Sequence, residues 1–139
     1  MPISDEYKLD DQDELLLRQV IPIWVQEGRP ASRAFRPNSN DGGHLSSDRN
    51  SMVTPREAYE AYLARQRESA GVWGLTVGEY TNESLLSYSD PSNDDPAHAV
   101  TDFSACTEAE QRRKSKRLHV HALDRGCLYP VLSSSTEAV

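Results

Sequence analysis

Long apolar runs are missing from this sequence. No 18 consecutive residues are apolar, so we expect no transmembrane helix and no membrane partner. The first residues also lack the basic stretch followed by an apolar stretch that marks a secretory signal peptide. These absences predict a cytoplasmic protein, which we place among prokaryotic proteins.

Cysteine is equally scarce, and Cys106 and Cys127 are the only two. In a chain without a secretory signal, two cysteines are interpreted as free thiols. A helix over 108–125 would hold them about 27 Å apart, far beyond the roughly 7 Å between Cα atoms that a disulfide tolerates. We therefore expect no internal disulfide, and a catalytic thiol at Cys106 is the less favoured alternative.

Basic side chains are outnumbered, and the formal net charge is -7. The acidity is concentrated in 1–14 and in 79–102, whereas 108–125 is basic. An acidic chain is atypical of a nucleic-acid-binding protein. The separation of charge along the chain favours electrostatic pairing with another macromolecule, with a protein ranked before nucleic acid.

The chain length of 139 residues suits one domain, which needs neither a metal nor a disulfide to hold it together. Strand patterns occupy 14–24, 71–77 and 98–103, with short strands expected at 32–35 and 127–132 and a loop over 81–97. We expect a flexible acidic tail over 1–13, a single domain over 14–132, and a flexible tail over 133–139.

Two helices are predicted over 55–67 and 108–125. Thr54 with Glu57, and Thr107 with Glu110, have the spacing of a capping box. Pro55 suits a first helical position, and the glycine at 126 suits a helix end. The predicted fold class is α+β, a small mixed or antiparallel sheet packed with these two main helices.

The stretch 34–51 reads as an unusually long connection between elements, and such connections in compact domains are typically functional or disordered. Its Asn-Asp-Gly-Gly sequence predicts a tight turn. Leu45 is its single apolar anchor, so we expect an ordered segment with His44 and Ser46 on one side and Ser47 on the other. Arg36 and Arg49 would then converge on one anion or on an acidic partner.

The histidines predict no metal site. His119 and His121 lie two residues apart on the second helix and would therefore point apart, with His119 packed and His121 exposed. His98 opens a strand beside an acidic, proline-containing loop, and it is the histidine to which we assign functional work. No cofactor is predicted.

The second helix carries a broad basic face that includes Arg113, Lys114, Arg117, His121 and Arg125. Three interpretations stay open for this face: a solvated surface, a surface for an acidic protein partner, and a surface for nucleic acid, in that order. No choice among them follows from the residues alone.

An arginine on an early strand, Arg18, followed by the Leu-Ser-Ser stretch 45–47, resembles the order found in ADP-ribosyltransferase-like folds. Those folds carry an arginine or histidine on the first strand, a Ser-Thr-Ser strand and a later catalytic glutamate. Here Ser46 occupies the threonine position, and the Glu-x-Glu pair, Glu108 and Glu110, belongs to a helix cap. The resemblance implies a nucleotide- or NAD-handling enzyme.

The leading prediction is a small soluble accessory, adaptor or immunity-type protein that binds another macromolecule through its charged surfaces. The alternative is the nucleotide- or NAD-handling enzyme. A pocket in which the candidate residues converge favours the enzyme, and a flat charged surface favours the partner. No catalytic residue is assigned, and the candidate binding residues are Arg36, His44, Ser46, Ser47, Arg49, His98, Arg113 and Arg117.

Overall fold

A computed structural model describes residues 4–130. Its centre is a five-stranded antiparallel sheet with the order β5-β1-β4-β7-β6, and a two-stranded ribbon joins β2 to β3. The strands are β1 (Leu15–Val20), β2 (Val25–Gln26), β3 (Arg29–Pro30), β4 (His44–Arg49), β5 (Gly71–Thr76), β6 (Leu86–Ser89) and β7 (His98–Asp102). The helices are α1 (Pro55–Ala64), α2 (Val77–Thr81) and α3 (Glu108–Arg125). The predicted α+β class is confirmed.

The main core lies between one side of the sheet and α3. Alternate residues of a strand face the same side, so Leu16 of β1, Leu45 of β4 and Leu75 of β5 lie together in one buried cluster. Leu118 and Ala122 of α3 complete this cluster and are fully buried. The predicted burial of Leu45 is confirmed, since only 1% of its surface is exposed.

The opposite side of the sheet packs against α1 through a smaller cluster. Leu17 and Val72, which alternate with the residues of the main core, contact Ala58 of α1. The ring of Tyr59 lies edge-on to Tyr129 with centroids 5.1 Å apart. The sheet is therefore covered by helices on both sides, but α1 covers only part of its side.

Both predicted helix starts are confirmed. Thr54 and Glu57 form a reciprocal capping box at α1, and Thr107 and Glu110 form another at α3. The helix α3 has the predicted bounds, whereas α1 ends at Ala64, three residues before the predicted end. A third capping box, missed in the sequence, starts the short helix α2.

Three predictions of local structure were wrong. The expected strand at 32–35 is a 3-10 helix, Ser32–Phe35, that buries its last two residues in the main core. The stretch 34–51 contains β4, and the stretch 81–97 contains β6. Both missed strands are rich in serine. In β6 the buried hydroxyl of Ser87 finds a partner, since Ser87 Oγ lies 2.7 Å from Thr101 Oγ1.

The turn before β4 has the predicted chemistry. The Asn38 backbone N–H donates to Asp41 Oδ2 over 2.9 Å, and Gly42 and Gly43 adopt positive φ angles of 63° and 82°. A Cβ on Gly43 would lie 2.7 Å from the Ser104 backbone, so only glycine fits there.

Both edges of the five-stranded sheet are covered by terminal segments of the described chain. On β6, Lys8 bridges Tyr88, and the Leu9 N–H donates to the Ser87 carbonyl over 2.9 Å. On β5, the Leu128 N–H donates to the Val72 carbonyl over 2.8 Å. Covering an edge protects its unpaired backbone groups from pairing with other chains.

The acidic segment at the start of the chain, for which the sequence predicts a flexible tail over 1–13, therefore contacts the sheet at Lys8 and Leu9, whereas 4–7 are exposed. Leu9 supplies the reason, because its side chain is 8% exposed and joins the main core. The predicted tail 133–139 and the end of the predicted strand 127–132 lie outside the described residues. The domain bounds stay a prediction.

No helix within 4–130 has both the length and the apolar character needed to cross a membrane. Cys106 and Cys127 are free thiols at the two ends of α3, and both are partly buried against the main core.

Candidate ligand cleft

A cleft of about 1010 Å³ opens on the α1 side of the sheet. Its floor is formed by β1 and β4, one wall by the end of α1 and the turn 65–68, and the other wall by the loop 90–95. The strands β1 and β4 pair only at Leu16 with Arg49 and at Leu17 with Asp48. Beyond the pair of Leu17 with Asp48, the Arg18 side chain bonds the backbone of β4 where a regular sheet would have backbone hydrogen bonds between the two strands.

Arg18 occupies the gap between β1 and β4. Its Nε donates to the Ala34 carbonyl over 2.8 Å, and its Nη1 donates to the Ser46 carbonyl over 2.9 Å. The guanidinium lies 5.2 Å from the ring centroid of Trp24, a cation–π distance. Arg18 is 8% exposed, and burial lowers its pKa from the ordinary value. No carboxylate of the described chain lies within 4 Å of it.

Asp48 and Asp95 form a pair of neighbouring carboxyl groups in the cleft. Burial, followed by the hydrogen bond and the negative charge of Asp95, raises the pKa of Asp48 to about 8. Arg65 stands beside the pair, with its Nη2 3.7 Å from Asp95 Oδ2 and 3.2 Å from the Asp94 carbonyl. The raised pKa favours the protonated form of Asp48 near neutral pH, with the negative charge on Asp95 beside Arg65. Asp48 Oδ1 is buried and has no hydrogen-bond partner in the described chain.

Two further polar groups beside the cleft floor are buried without a hydrogen-bond partner in the described chain. Gln19 accepts a hydrogen bond at Oε1 from Ser69 over 2.8 Å, but its Nε2 has no acceptor. The hydroxyl of Ser47 also lacks a partner. Buried unpaired polar atoms are uncommon and are expected where water or a ligand completes the site.

His98 lies at the rim of the cleft, on β7, and is paired with Asp48 of the neighbouring strand β4. Its Nδ1 lies 3.0 Å from the Asp90 carbonyl and 3.1 Å from Asp90 Oδ2. These contacts hold the ring against the loop 90–95, as the position of His98 in the sequence predicted.

Three of the eight candidate binding residues line this cleft: Ser46, Ser47 and His98. Arg49 instead binds Glu14 with two hydrogen bonds, from Nε to Oε2 over 2.6 Å and from Nη2 to Oε1 over 3.1 Å. Arg36 donates from Nη1 to Ser115 Oγ of α3 over 3.0 Å and lines a separate cavity of about 290 Å³. Arg36 and Arg49 therefore serve different neighbours and do not converge.

The remaining candidates lie elsewhere. His44 is 3.9 Å from Asp102, outside the cleft. On α3, Arg117 pairs with Glu83 over 2.8 Å and Arg125 with Glu79 over 2.9 Å, so part of the basic face is used within the protein. Within 4–130, no carboxylate lies within 4 Å of the basic side chains of Arg113, Lys114 and Lys116. His119 is half-buried beside Phe35 and His121 is exposed, as predicted.

Arg18 and Ser46, the residues that suggested a resemblance in the sequence, lie on neighbouring strands and are joined by the hydrogen bond from Arg18 Nη1 to the Ser46 carbonyl. Glu110 is bound in the capping box of α3, and neither it nor Glu108 lines the cleft. The carboxyl groups present in the cleft are Asp41, Asp48, Glu68, Asp90, Asp94 and Asp95.

Sequence reasoning missed Asp48, Asp95, Arg65 and Gln19. The available signal was Asp48 itself, an aspartate on the strand side opposite Leu45. In residues 4–130, no three His, Cys, Asp or Glu side chains are grouped so that they could hold a metal ion.

Comparison with protein-family models, with curated proteins and with solved structures gave no match to this chain.

Proposed function

We propose that the protein is a small enzyme that binds a polar small molecule in the cleft and uses Asp48 as a general acid. The observation that carries the proposal is a carboxyl group whose pKa is raised to about 8 beside a second carboxylate, inside a cleft. Strongly shifted carboxyl groups in clefts are characteristic of acid–base sites. A general acid works best when its pKa lies near the working pH.

The proposed chemistry is a proton transfer from Asp48 to a ligand atom within hydrogen-bond reach. The transfer leaves two neighbouring carboxylates, and Arg65 offsets part of their repulsion because it stands beside Asp95. A proton from water entering the cleft then restores Asp48. Asp95 is the positioning partner that keeps this proton on Asp48 between turnovers.

The cleft supports this function better than a flat charged surface. Small-molecule sites are concave, and a volume of about 1010 Å³ lies at the upper end of the usual range of roughly 300–1,000 Å³. Tyr62, Leu17 and Trp24 give the cleft apolar and aromatic surface beside its polar groups.

The direct test is incubation of the purified protein with a metabolite extract, followed by mass spectrometry. We expect at least one metabolite to be consumed by the wild type and left intact by Asp48→Asn, which keeps the shape of the side chain. Asp124→Asn, an exposed change on α3, is the matched control and should behave as the wild type. An unchanged extract, or equal consumption by Asp48→Asn, would contradict the proposal.

A second candidate function is the predicted electrostatic interface with a protein partner. It is supported by Arg113 and Lys114 of the basic face, for which the described chain offers no ion-pair partner within 4 Å. Changing both to glutamate should abolish recovery of a partner by affinity purification while metabolite turnover continues. Recovery of the same partner by the double variant would exclude this face as the interface.

A further inference from the structure

Arg18 is a buried cation that the protein does not neutralise. It is 92% buried, and its two recorded hydrogen bonds go to uncharged backbone carbonyls. The charged or ionisable groups that act on it most are Tyr80, Tyr62 and Asp41, and none of them lies within ion-pair distance. A buried charge without a counter-ion destabilises a fold, so its presence needs a reason.

One edge of the guanidinium remains available. Nε and one hydrogen of Nη1 are used by the Ala34 and Ser46 carbonyls, whereas Nη2 makes no hydrogen bond to any residue within 4–130. Nη2 and the second hydrogen of Nη1 form the end of the guanidinium, which can bind two oxygens of one anion at once. Arg18 also lines the cleft.

A second unpaired donor belongs to the same cleft. The Nε2 group of Gln19, the neighbouring residue on β1, is buried and has no acceptor in the described chain. Neighbouring residues of a strand face opposite sides of the sheet, so Gln19 marks a separate polar position of the cleft and not a second donor to the group that Arg18 binds. The free end of the Arg18 guanidinium by itself matches an anionic group that accepts two hydrogen bonds.

We propose that Arg18 binds the anionic group, a phosphate or a carboxylate, of the small molecule that the cleft accepts. Apart from Arg18, the cleft lining carries six carboxyl groups against two cations, Arg65 and Arg67, which disfavours a second anionic group on the ligand. The rest of the ligand is therefore expected to be uncharged and polar or cationic. This inference uses the cleft of the proposed function and names its class of ligand.

The first test follows the side-chain resonances of Arg18 by NMR in the wild-type protein. Sodium phosphate, sodium acetate and ethylammonium chloride are titrated separately, with sodium chloride holding the ionic strength constant. We expect a saturable shift of the Arg18 side chain with phosphate or with acetate, and the anion that binds more tightly identifies the class of ligand. No saturable shift with either anion, or saturation with ethylammonium alone, would overturn the inference.

The second test compares Arg18→Lys with Arg67→Lys. Arg67 lines the same cleft but stands over the ring of Tyr62 at 5.8 Å and is exposed. Arg18→Lys removes two-point binding and should weaken anion binding at least tenfold, whereas Arg67→Lys should change it less than twofold. Equal effects of the two variants would contradict the assignment, and the wild-type titration decides it if Arg18→Lys does not fold.

The two proposals fail separately. Asp48→Asn should lose turnover and keep anion binding, because Asp48 is not the proposed anion receptor. Anion binding without turnover by the wild type would remove the acid–base function and leave the role of Arg18. Turnover with no anion binding would remove the role of Arg18 and leave the acid–base function.

Discussion

Glu14 and Arg49 are held together at the start of the sheet. Burial alone would raise the pKa of Glu14, but hydrogen bonds from Arg49 and Ser51 outweigh it and lower the pKa below its ordinary value. The Ser51 hydroxyl donates to Glu14 Oε2 over 2.8 Å. The main role of Arg49 is therefore to bind the carboxylate of Glu14, which is 8% exposed.

Arg49→Ala should lower the free energy of unfolding by about 2 kcal/mol or more, because it leaves Glu14 without its charged donor. Urea unfolding measures the change. Arg56→Ala is the control, since Arg56 pairs with Glu60 on the surface of α1 and its loss should have no measurable effect. Equal stability of the two variants would show that the Glu14–Arg49 pair does not stabilise the fold.

Asp48→Asn should change the pH dependence of stability. The pKa of Asp48 is raised in the folded state from an ordinary 3.8 to about 8, so the folded state binds the proton more tightly than the unfolded state. Its contribution to stability is therefore complete below about pH 4, falls as the pH rises, and is lost by about pH 8. Asparagine cannot ionise, so the variant avoids this loss.

Urea unfolding at pH 5, 6.5 and 8 provides the measurement. The free energy of unfolding of Asp48→Asn, relative to the wild type, should increase with each step in pH. Asp124→Asn should show no such trend. A constant difference between Asp48→Asn and the wild type across the three pH values would mean that Asp48 titrates normally.

At this scale the sequence predicts burial better than it predicts partners. Leu45, the single apolar residue between Gly43 and Ser51, was correctly predicted to be buried, although the strand that contains it was missed. The neighbourhood of Asp48 and Asp95 depends on the pairing of β4 with β7, which joins residues far apart in the chain. No local sequence pattern predicts how β4 pairs with β7, so the pair of Asp48 and Asp95 could not be predicted.

Among the elements, α1 and α3 were predictable because the residues around each helix start determine it. A threonine at the cap and a glutamate three residues later satisfy backbone N–H groups that the helix leaves unpaired. The short helix α2 was missed although it has the same capping box. The serine-rich strands β4 and β6 were also missed, because they lack the apolar pattern of a strand and pair with distant segments.

Thr107→Ala should lower the free energy of unfolding by about 1 kcal/mol, since it removes the acceptor for the Glu110 N–H at 3.1 Å. Chemical denaturation monitored by circular dichroism measures the loss. Thr107→Ser keeps the acceptor oxygen and should retain most of the stability. If serine and alanine have the same effect, the hydroxyl does not cap α3.

In the whole molecule, terminal segments complete the sheet. Lys8 and Leu9 of the acidic segment pair with β6, and the segment 127–130 pairs with β5. The composition of 1–13 predicted a solvated tail because the segment contains many charged residues. Composition does not show that one residue of the segment, Leu9, is buried.

Leu9→Ala should lower the free energy of unfolding by about 2–3 kcal/mol, because it opens a cavity in the main core. It should also speed hydrogen exchange at the Leu9 N–H, which donates to the Ser87 carbonyl. Ile23→Ala, at a side chain that is 80% exposed, serves as the control. No loss of stability in Leu9→Ala would mean that the segment does not dock on the sheet.

The cleft also arises at the scale of the whole molecule. Strand order places β4 between β1 and β7, α1 covers only part of that side, and the loop 90–95 closes the other wall. Arg18, Asp48 and Asp95 all line this cleft although they come from three separate segments. The sequence resemblance pointed to Arg18 and Ser46, but the acid pair beside them emerges only from the fold.

The most direct test of this account is the titration of the Asp48 side-chain carboxyl carbon by NMR in the wild type and in Asp95→Asn. We predict a midpoint at about pH 8 in the wild type. Asp95→Asn should bring it down, because the variant removes a neighbouring negative charge. A wild-type midpoint near pH 4, unaffected by Asp95→Asn, would contradict the acid pair and with it the acid–base function proposed for the cleft.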